Sequence, residues 1–150
     1  MQRNALQSLI IKPVESDWEM EAAYALRRQV FVEEQGVPMD IEVDDLDATA
    51  VHAIAMQDGI VVATGRLLKD TPVQGLIGRM AVARTLRRQG IGGSILALLE
   101  EEARSRGITH ITLHAQSYVK EFYAGRGYQE EGEHFMEAGI QHILMRKALS

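Results

Sequence analysis

Residues 87–93 read Arg-Arg-Gln-Gly-Ile-Gly-Gly. The apolar run before them, at 76–82, has the pattern of a buried strand, and residues 91–106 after them have helical spacing. A glycine-rich turn between a strand and a helix aims several backbone N–H groups in one direction, and the helix start adds a partial positive charge there. The chemistry of such a turn is the binding of a phosphate or pyrophosphate. Glycine lets an anion approach the backbone closely and tolerates positive φ. The spacing Arg-x-x-Gly-x-Gly lacks the Gly-Lys-Ser/Thr of a P-loop. It also lacks the Gly-x-Gly-x-x-Gly and distant acidic residue of a dinucleotide site. Arg79, Arg84, Arg87 and Arg88 surround the turn and suit an anionic ligand.

A second charged group lies upstream. Asp40, Glu42, Asp44, Asp45 and Asp47 form an acidic cluster, with Glu33 and Glu34 just before it. Two readings stay open for it: a lip that attracts a cationic ligand such as an amine, or a solvated loop.

The elements that must position these groups follow from periodicity and turn chemistry. Residues 9–14, ended by Pro13, read as an edge strand. Ser16 or Asp17 caps a helix from Trp18, with Ala22, Ala23, Leu26, Val30 and Phe31 on one face and Gly36-Val37-Pro38 as its stop. Residues 39–47 read as a loop. Residues 51–56 and 60–64 are strands joined at Asp58-Gly59, and Thr71-Pro72 turns the chain into the strand at 76–82. The next helix carries Ile91, Ile95, Leu98, Leu99 and Ala103 inward and Glu100 on its surface, and ends at Gly107. A strand at 110–115, a short helix at 118–126 and two strands, one from Tyr128 onward and one at 140–149, complete an order of β, α, β, β, β, α, β, α, β, β. This is an α+β (mixed α/β) sandwich with helices covering a mostly antiparallel sheet.

Composition bounds the rest. With 150 residues, 46% apolar and 25% charged, the chain is read as one domain, 1–150, with a proper core. It contains no cysteine, which excludes disulfides, thiolate metal sites and a cysteine nucleophile. The formal net charge of −5 argues against a nucleic-acid partner. There is no apolar run of about 18 residues, and Met1-Gln2-Arg3-Asn4-Ala5 is not followed by a signal-type segment. The expectation is a cytoplasmic protein.

Taken with its flanks, residues 78–96, Gly78-Arg79-Met80-Ala81-Val82-Ala83-Arg84-Thr85-Leu86-Arg87-Arg88-Gln89-Gly90-Ile91-Gly92-Gly93-Ser94-Ile95-Leu96, resemble the acetyl-CoA-binding segment of the GNAT N-acetyltransferases. Residues 116–128, Gln116-Ser117-Tyr118-Val119-Lys120-Glu121-Phe122-Tyr123-Ala124-Gly125-Arg126-Gly127-Tyr128, resemble that family's other recurrent segment. The resemblance implies a sheet splayed at the cofactor site. The pantetheine arm would pair with the backbone of Met80, Ala81 and Val82. The pyrophosphate would sit on Arg87, Arg88, Gln89, Gly90, Ile91, Gly92, Gly93 and Ser94. Gln116, where the family often has Asn, would offer its amide. Tyr123 would stand near the thioester sulfur and protonate the departing thiolate, a role that a phenol of pKa about 10 suits. Phe122 and Tyr128 read as packing residues.

Two further stretches resemble the ElaA-like acyltransferases. One is residues 27–36 with Glu42, Asp44-Asp45-Leu46-Asp47 and His52, and the other is residues 135–145. The Arg27-x-x-Val30-Phe31 pattern is also similar to acyl-homoserine-lactone synthases.

N-acyl transfer needs a base to deprotonate the acceptor ammonium. The candidates are Glu33, Glu34, Glu42, Asp44, Asp45, His52, His114, Glu137 and His142, with Glu34 and His52 singled out beside Tyr123. No His-Glu-x-x-His motif occurs, so no metal is expected. The resulting expectation is transfer of an acetyl group from acetyl-CoA to the amine of a small molecule or peptide. The chain would act as a monomer or homodimer, without nucleic acid or membrane. The rivals are an acyl-homoserine-lactone-type synthase and a non-catalytic acyl-CoA-binding sensor.

Overall fold

The computed structural model describes residues 9–150. The reading of the first five residues lies outside that range. Seven strands form one sheet in the order β1-β2-β3-β4-β5-β7-β6. They are β1 (Leu9–Pro13), β2 (Val51–Gln57), β3 (Ile60–Thr71), β4 (Gln74–Val82), β5 (His110–Gln116), β6 (Gln129–Glu137) and β7 (Ile140–Ala148). All neighbours pair antiparallel except β4 and β5. The helices are α1 (Asp17–Arg27), the short α2 (Met39–Glu42), α3 (Ile91–Ser105) and α4 (Lys120–Ala124).

The two helical faces follow from strand alternation. Ala53, Ala63, Leu67, Ile77, Leu113, Ala115, Ile143 and Met145 point to α3 and build the main core with Ile95, Leu96 and Leu99. Ile54 and Ala81 point the other way, to Ala23, Leu26 and Val30. The expected sandwich is therefore correct, and its element order holds apart from one added short helix, α2.

Local chemistry explains the boundaries. Ser16 caps α1 by accepting from Glu19 N–H. The hairpins turn at Asp58-Gly59 (φ 52° and 81°) and Ala138-Gly139 (φ 52° and 77°), with two consecutive left-handed residues each.

Three expectations need correction. The helix that starts at Asp17 does not run on as an α-helix to Gly36, because Arg28–Glu34 is wound as a π-helix. That widening still brings Val30 and Phe31 to the core and re-aims the residues beyond them. Residues 39–48 are not an open loop. They form α2 and a 3₁₀ turn, Asp45–Ala48, with a reciprocal Asp44/Asp47 capping box. Glu100 is not on the surface. It is 7% exposed and accepts from Tyr128 Oη at 2.7 Å and Lys147 Nζ at 3.1 Å. Burial and that carboxylate push the Tyr128 phenol above its ordinary value.

Candidate active site

The parallel pair β4–β5 sets the site. It pairs only at Gln74↔His110, Gly75↔Ile111 and Leu76↔Thr112. Beyond Leu76 and Thr112 the strands part, leaving Ile77–Val82 and Leu113–Gln116 to flank a split. A bulge in β4 marks its depth. Thr64 pairs with Ala81 and Arg66 with Gly78, so Arg79 and Met80 together oppose Gly65. Arg79 takes φ 54°, left-handed for a bulky residue. Its side chain holds the kink by donating to Glu42 O (2.9 Å) and Ile41 O (3.1 Å). Gly65 stands opposite, where a Cβ would crowd Met80 Sδ at 2.6 Å and Ile95 Cγ2 at 2.9 Å.

The glycine turn stands at the mouth of the split. Gly90, at φ 85° and ψ 0°, is the N-cap of α3, and no side chain caps the N–H groups of the first turn. These free N–H groups and the unpaired β4 edge are a fit for a pyrophosphate followed by an extended amide-bearing chain. The three glycines act differently. Gly90 supplies the left-handed residue and has open space where a Cβ would be. Gly92 packs on Phe122, and Gly93 leaves room for the Arg126 guanidinium, which a Cβ would meet at 2.7 Å. Arg126 in turn lies over the Phe122 ring at 4.0 Å. Glycines 92 and 93 thus fit α4 against α3, in addition to any role toward an anion.

The π-helical segment crosses this mouth. Glu34 receives Arg87 Nη2 at 2.9 and 3.0 Å. The next residue, Gln35, exchanges amide hydrogen bonds with Gln116 at 2.9 and 3.3 Å and donates to Tyr118 Oη at 3.2 Å. The structure therefore joins three expected site residues: Glu34 pairs with Arg87, and Gln116 with Gln35 on the strap that carries Glu34.

Tyr123 is 8% exposed. It lies edge-on to Phe122 (4.9 Å) and Tyr128 (5.9 Å). Burial pushes its phenol up to about 12, with the nearby Tyr118 adding to the shift. It stays protonated at any physiological pH, but it is a weaker acid than the ordinary phenol value implies.

His52 is placed elsewhere. It lies on β2, separated by β3 from the split strand β4. His52 Nε2 donates to Asp47 O at 2.9 Å, Nδ1 is buried without a partner, and burial lowers its basicity. A general base there has no open path to the split.

The acidic cluster resolves into a closed ion network. Arg27, 1% exposed, donates to Glu42 Oε1 (2.6 Å) and to Asp47 Oδ1 (2.7 Å) and Oδ2 (3.0 Å). Arg66 donates to both Asp44 oxygens (2.7 and 3.0 Å) and to Asp47 (2.9 Å). Arg79 reaches Asp44 at 3.2 Å. Three arginines thus offset Glu42, Asp44 and Asp47. Burial raises the Asp47 carboxyl, but the hydrogen bonds and charges of Arg27 and Arg66 outweigh it and hold the group down to about 2. Glu42 and Asp44, two candidate bases, are spent on holding α2 to the sheet.

Four side chains from three strands gather on the far side of the split. His114 on β5, Glu137 and Phe135 on β6 and His142 on β7 meet on the face that Gln116 shares, away from α3. His114 Nδ1 donates to Glu137 Oε1 at 2.9 Å. No group of three or more His, Cys, Asp or Glu among the described residues is arranged to hold a metal. No helix among the described residues is long and apolar enough to cross a membrane.

Known proteins agree with this geometry. The acetyltransferase (GNAT) domain family matches residues 20–149. The uncharacterized N-acetyltransferase YjcF of Bacillus subtilis is 34% identical over 131 residues, covering 86% of this chain and 92% of that protein. An acyl-CoA N-acyltransferase structure from Pseudomonas aeruginosa superposes with a TM-score of 0.79 at 32% identity, covering 93% of this chain and 99% of the other. Escherichia coli ElaA superposes with a TM-score of 0.82 at 26% identity, covering 93% of this chain and 99% of the other. The AHL synthase LasI, at 18% identity and a TM-score of 0.77, and an aminoglycoside 6'-N-acetyltransferase holding coenzyme A, at 18% and 0.76, share the fold. With its uncapped glycine turn at a split between parallel strands, and a family match over most of its length, the chain belongs to the GNAT acetyltransferases and is an acetyl-CoA-dependent N-acetyltransferase.

Proposed function

We propose that residues 1–150 act as one cytoplasmic catalytic domain, monomeric or homodimeric, that acetylates a primary amine on a small molecule or peptide by direct attack on the thioester. The observation that carries this reading is the parting of β4 and β5 beyond Leu76 and Thr112, with the uncapped α3 N-terminus at its mouth. In this reading the pyrophosphate rests on the backbone of residues 87–94. The pantetheine amides pair with Met80, Ala81 and Val82, and with Gln116 once it leaves Gln35. The thioester supplies the activated acetyl group. Arg87 exchanges Glu34 for phosphate, which frees the Glu34 carboxylate at the acceptor side.

Tyr123 protonates the leaving thiolate. Its raised pKa favours the protonated form and supports a role as donor rather than base. Thiol release from acetyl-CoA, followed with a panel of amines, tests the reading. Turnover with the acetyl donor supports it. CoA binding without turnover points to a sensor, and a strict preference for long acyl chains points to a lactone-type synthase.

A further inference from the structure

The amine acceptor of the reaction above must lose a proton, and in the network around Arg27 the carboxylates are paired with arginines and the unpartnered Glu42 Oε2 and His52 Nδ1 are buried. The face of β5, β7 and β6 next to the split holds a base for it. We propose that the acceptor ammonium docks there, on Glu137 and Phe135, and that His142 Nε2 removes its proton. The proposal rests on acyl-CoA lying in the β4–β5 split.

Register places the group. Extending the β4–β5 pairing past Leu76↔Thr112 sets Gly78 level with His114 and Met80 level with Gln116. Met80 is part of the bulge, at the depth where the thioester would lie. Gln116 is the direct neighbour of His142 on β7, and His142 in turn faces Phe135 on β6. His142 is therefore one strand from the split, on the open side.

Its tautomer follows from a backbone contact. His142 Nδ1 lies 2.7 Å from Ile140 O. A carbonyl only accepts, so Nδ1 carries the proton and neutral His142 keeps its lone pair on Nε2. Nε2 faces Glu137 Oε2 at 3.7 Å, too far for a hydrogen bond. An ammonium nitrogen set off that line sits within about 2.8 Å of both atoms. The other Glu137 oxygen is already held by His114 Nδ1 at 2.9 Å, which fixes the carboxylate's orientation. The Phe135 ring stacks on His142 (5.9 Å, 24°) and meets His114 edge-on (5.3 Å).

Exposure divides the roles. The His142 side chain is 8% exposed and Glu137 47%, so the base is shielded while the anchor faces solvent. The titratable groups facing His142 are Glu137 from β6 and His114 from β5. His134 on β6 is turned to Ser117 Oγ (2.8 Å).

The proton balance closes. His142 Nε2 takes one proton from the ammonium and later returns it to solvent. The neutral nitrogen forms the N–C bond, the C–S bond breaks, and the nitrogen's second proton replaces the one that Tyr123 gives to the thiolate. The products are an amide, free CoA thiol and one proton.

His142 is thus a catalytic residue and Glu137 a binding residue, with His114 positioning Glu137. The test uses the full chain, acetyl-CoA and n-butylamine driven at high concentration as acceptor. His142→Gln is expected to lower kcat/KM for the amine about 10²-fold at neutral pH. Rate should recover as pH rises and the free amine forms unaided, with CoA affinity unchanged. Glu137→Gln, at an exposed position that tolerates change, is expected to raise KM for the amine about 10-fold with a smaller change in kcat. A His142→Gln enzyme with wild-type rate and pH profile would overturn the proposal, as would a Glu137→Gln enzyme with unchanged KM. If wild-type protein binds CoA but releases no thiol with the amine, the acyl-transfer reading itself fails.

Discussion

Two groups of acidic side chains and histidines sit on the α1 face of one sheet, one on each side of the split. Around Arg27, three arginines meet Glu42, Asp44 and Asp47, and His52 is closed in among them. Across the split, Glu137 has two histidines and no arginine as partners, and its carboxylate reaches solvent. The first group is neutral, with Arg27, Glu42, Asp47, Arg66 and His52 buried, and it fixes α2 against the sheet. In the second the carboxylate is half-satisfied and 47% exposed, whereas the unpartnered Glu42 Oε2 and His52 Nδ1 of the first are sealed in. What separates structure from chemistry here is the charge that reaches each carboxylate, since the residue types are nearly the same.

The comparison breaks first at Arg27. Arg27→Met would leave Glu42 and Asp47 buried without their main partner, and the expected cost is about 3–5 kcal/mol, read by chemical denaturation. A loss under about 1 kcal/mol would mean that the network is not what holds α2.

Next in size is Tyr123→Phe. Packing against Phe122 and Tyr128 should survive, while the acyl-transfer rate falls about 10²-fold with CoA affinity nearly unchanged. Wild-type turnover would return Tyr123 to the core.

Acid titration sharpens the contrast further. The folded Asp47 carboxyl sits at about 2, below its unfolded value of about 3.9. Its stabilisation is complete above about pH 4 and is lost as pH falls toward 2, a term of roughly 2 kcal/mol. Urea midpoints that stay flat from pH 5 to 2 would contradict this.

The smallest effect is expected at Asp45, which is exposed. Asp45→Asn should shift stability by less than about 0.5 kcal/mol and leave the amine KM alone. Asp44→Asn should instead destabilise through Arg66 and Arg79. A selective rise in amine KM in both variants would reinstate the acidic segment as an acceptor lip.

The sequence made some of this legible and not the rest, for physical reasons. The glycine turn, α3 and the Asp58-Gly59 hairpin follow from local periodicity and φ requirements, which residues 51–64 and 87–105 carry by themselves. The acidic segment looked like a loop because its folding depends on Arg27, Arg66 and Arg79, which come from other elements. The burial of Glu100 needed Tyr128 and Lys147. The left-handed Arg79 has no local signal at all, since carbonyls of α2 hold it. His114, Glu137 and His142 were visible as titratable residues, but only strand register brings them together beside the split.

The most direct test of the account is CoA binding to the turn at 87–94, measured by calorimetric titration of wild-type protein, Gly90→Ala and Gly90→Glu. Both variants carry the same left-handed strain at φ 85° with open space around the new Cβ, but only Glu places a carboxylate where the pyrophosphate belongs. The account predicts a folded Gly90→Glu protein that no longer binds CoA, with Gly90→Ala weakened far less. Unchanged CoA affinity in Gly90→Glu would contradict it.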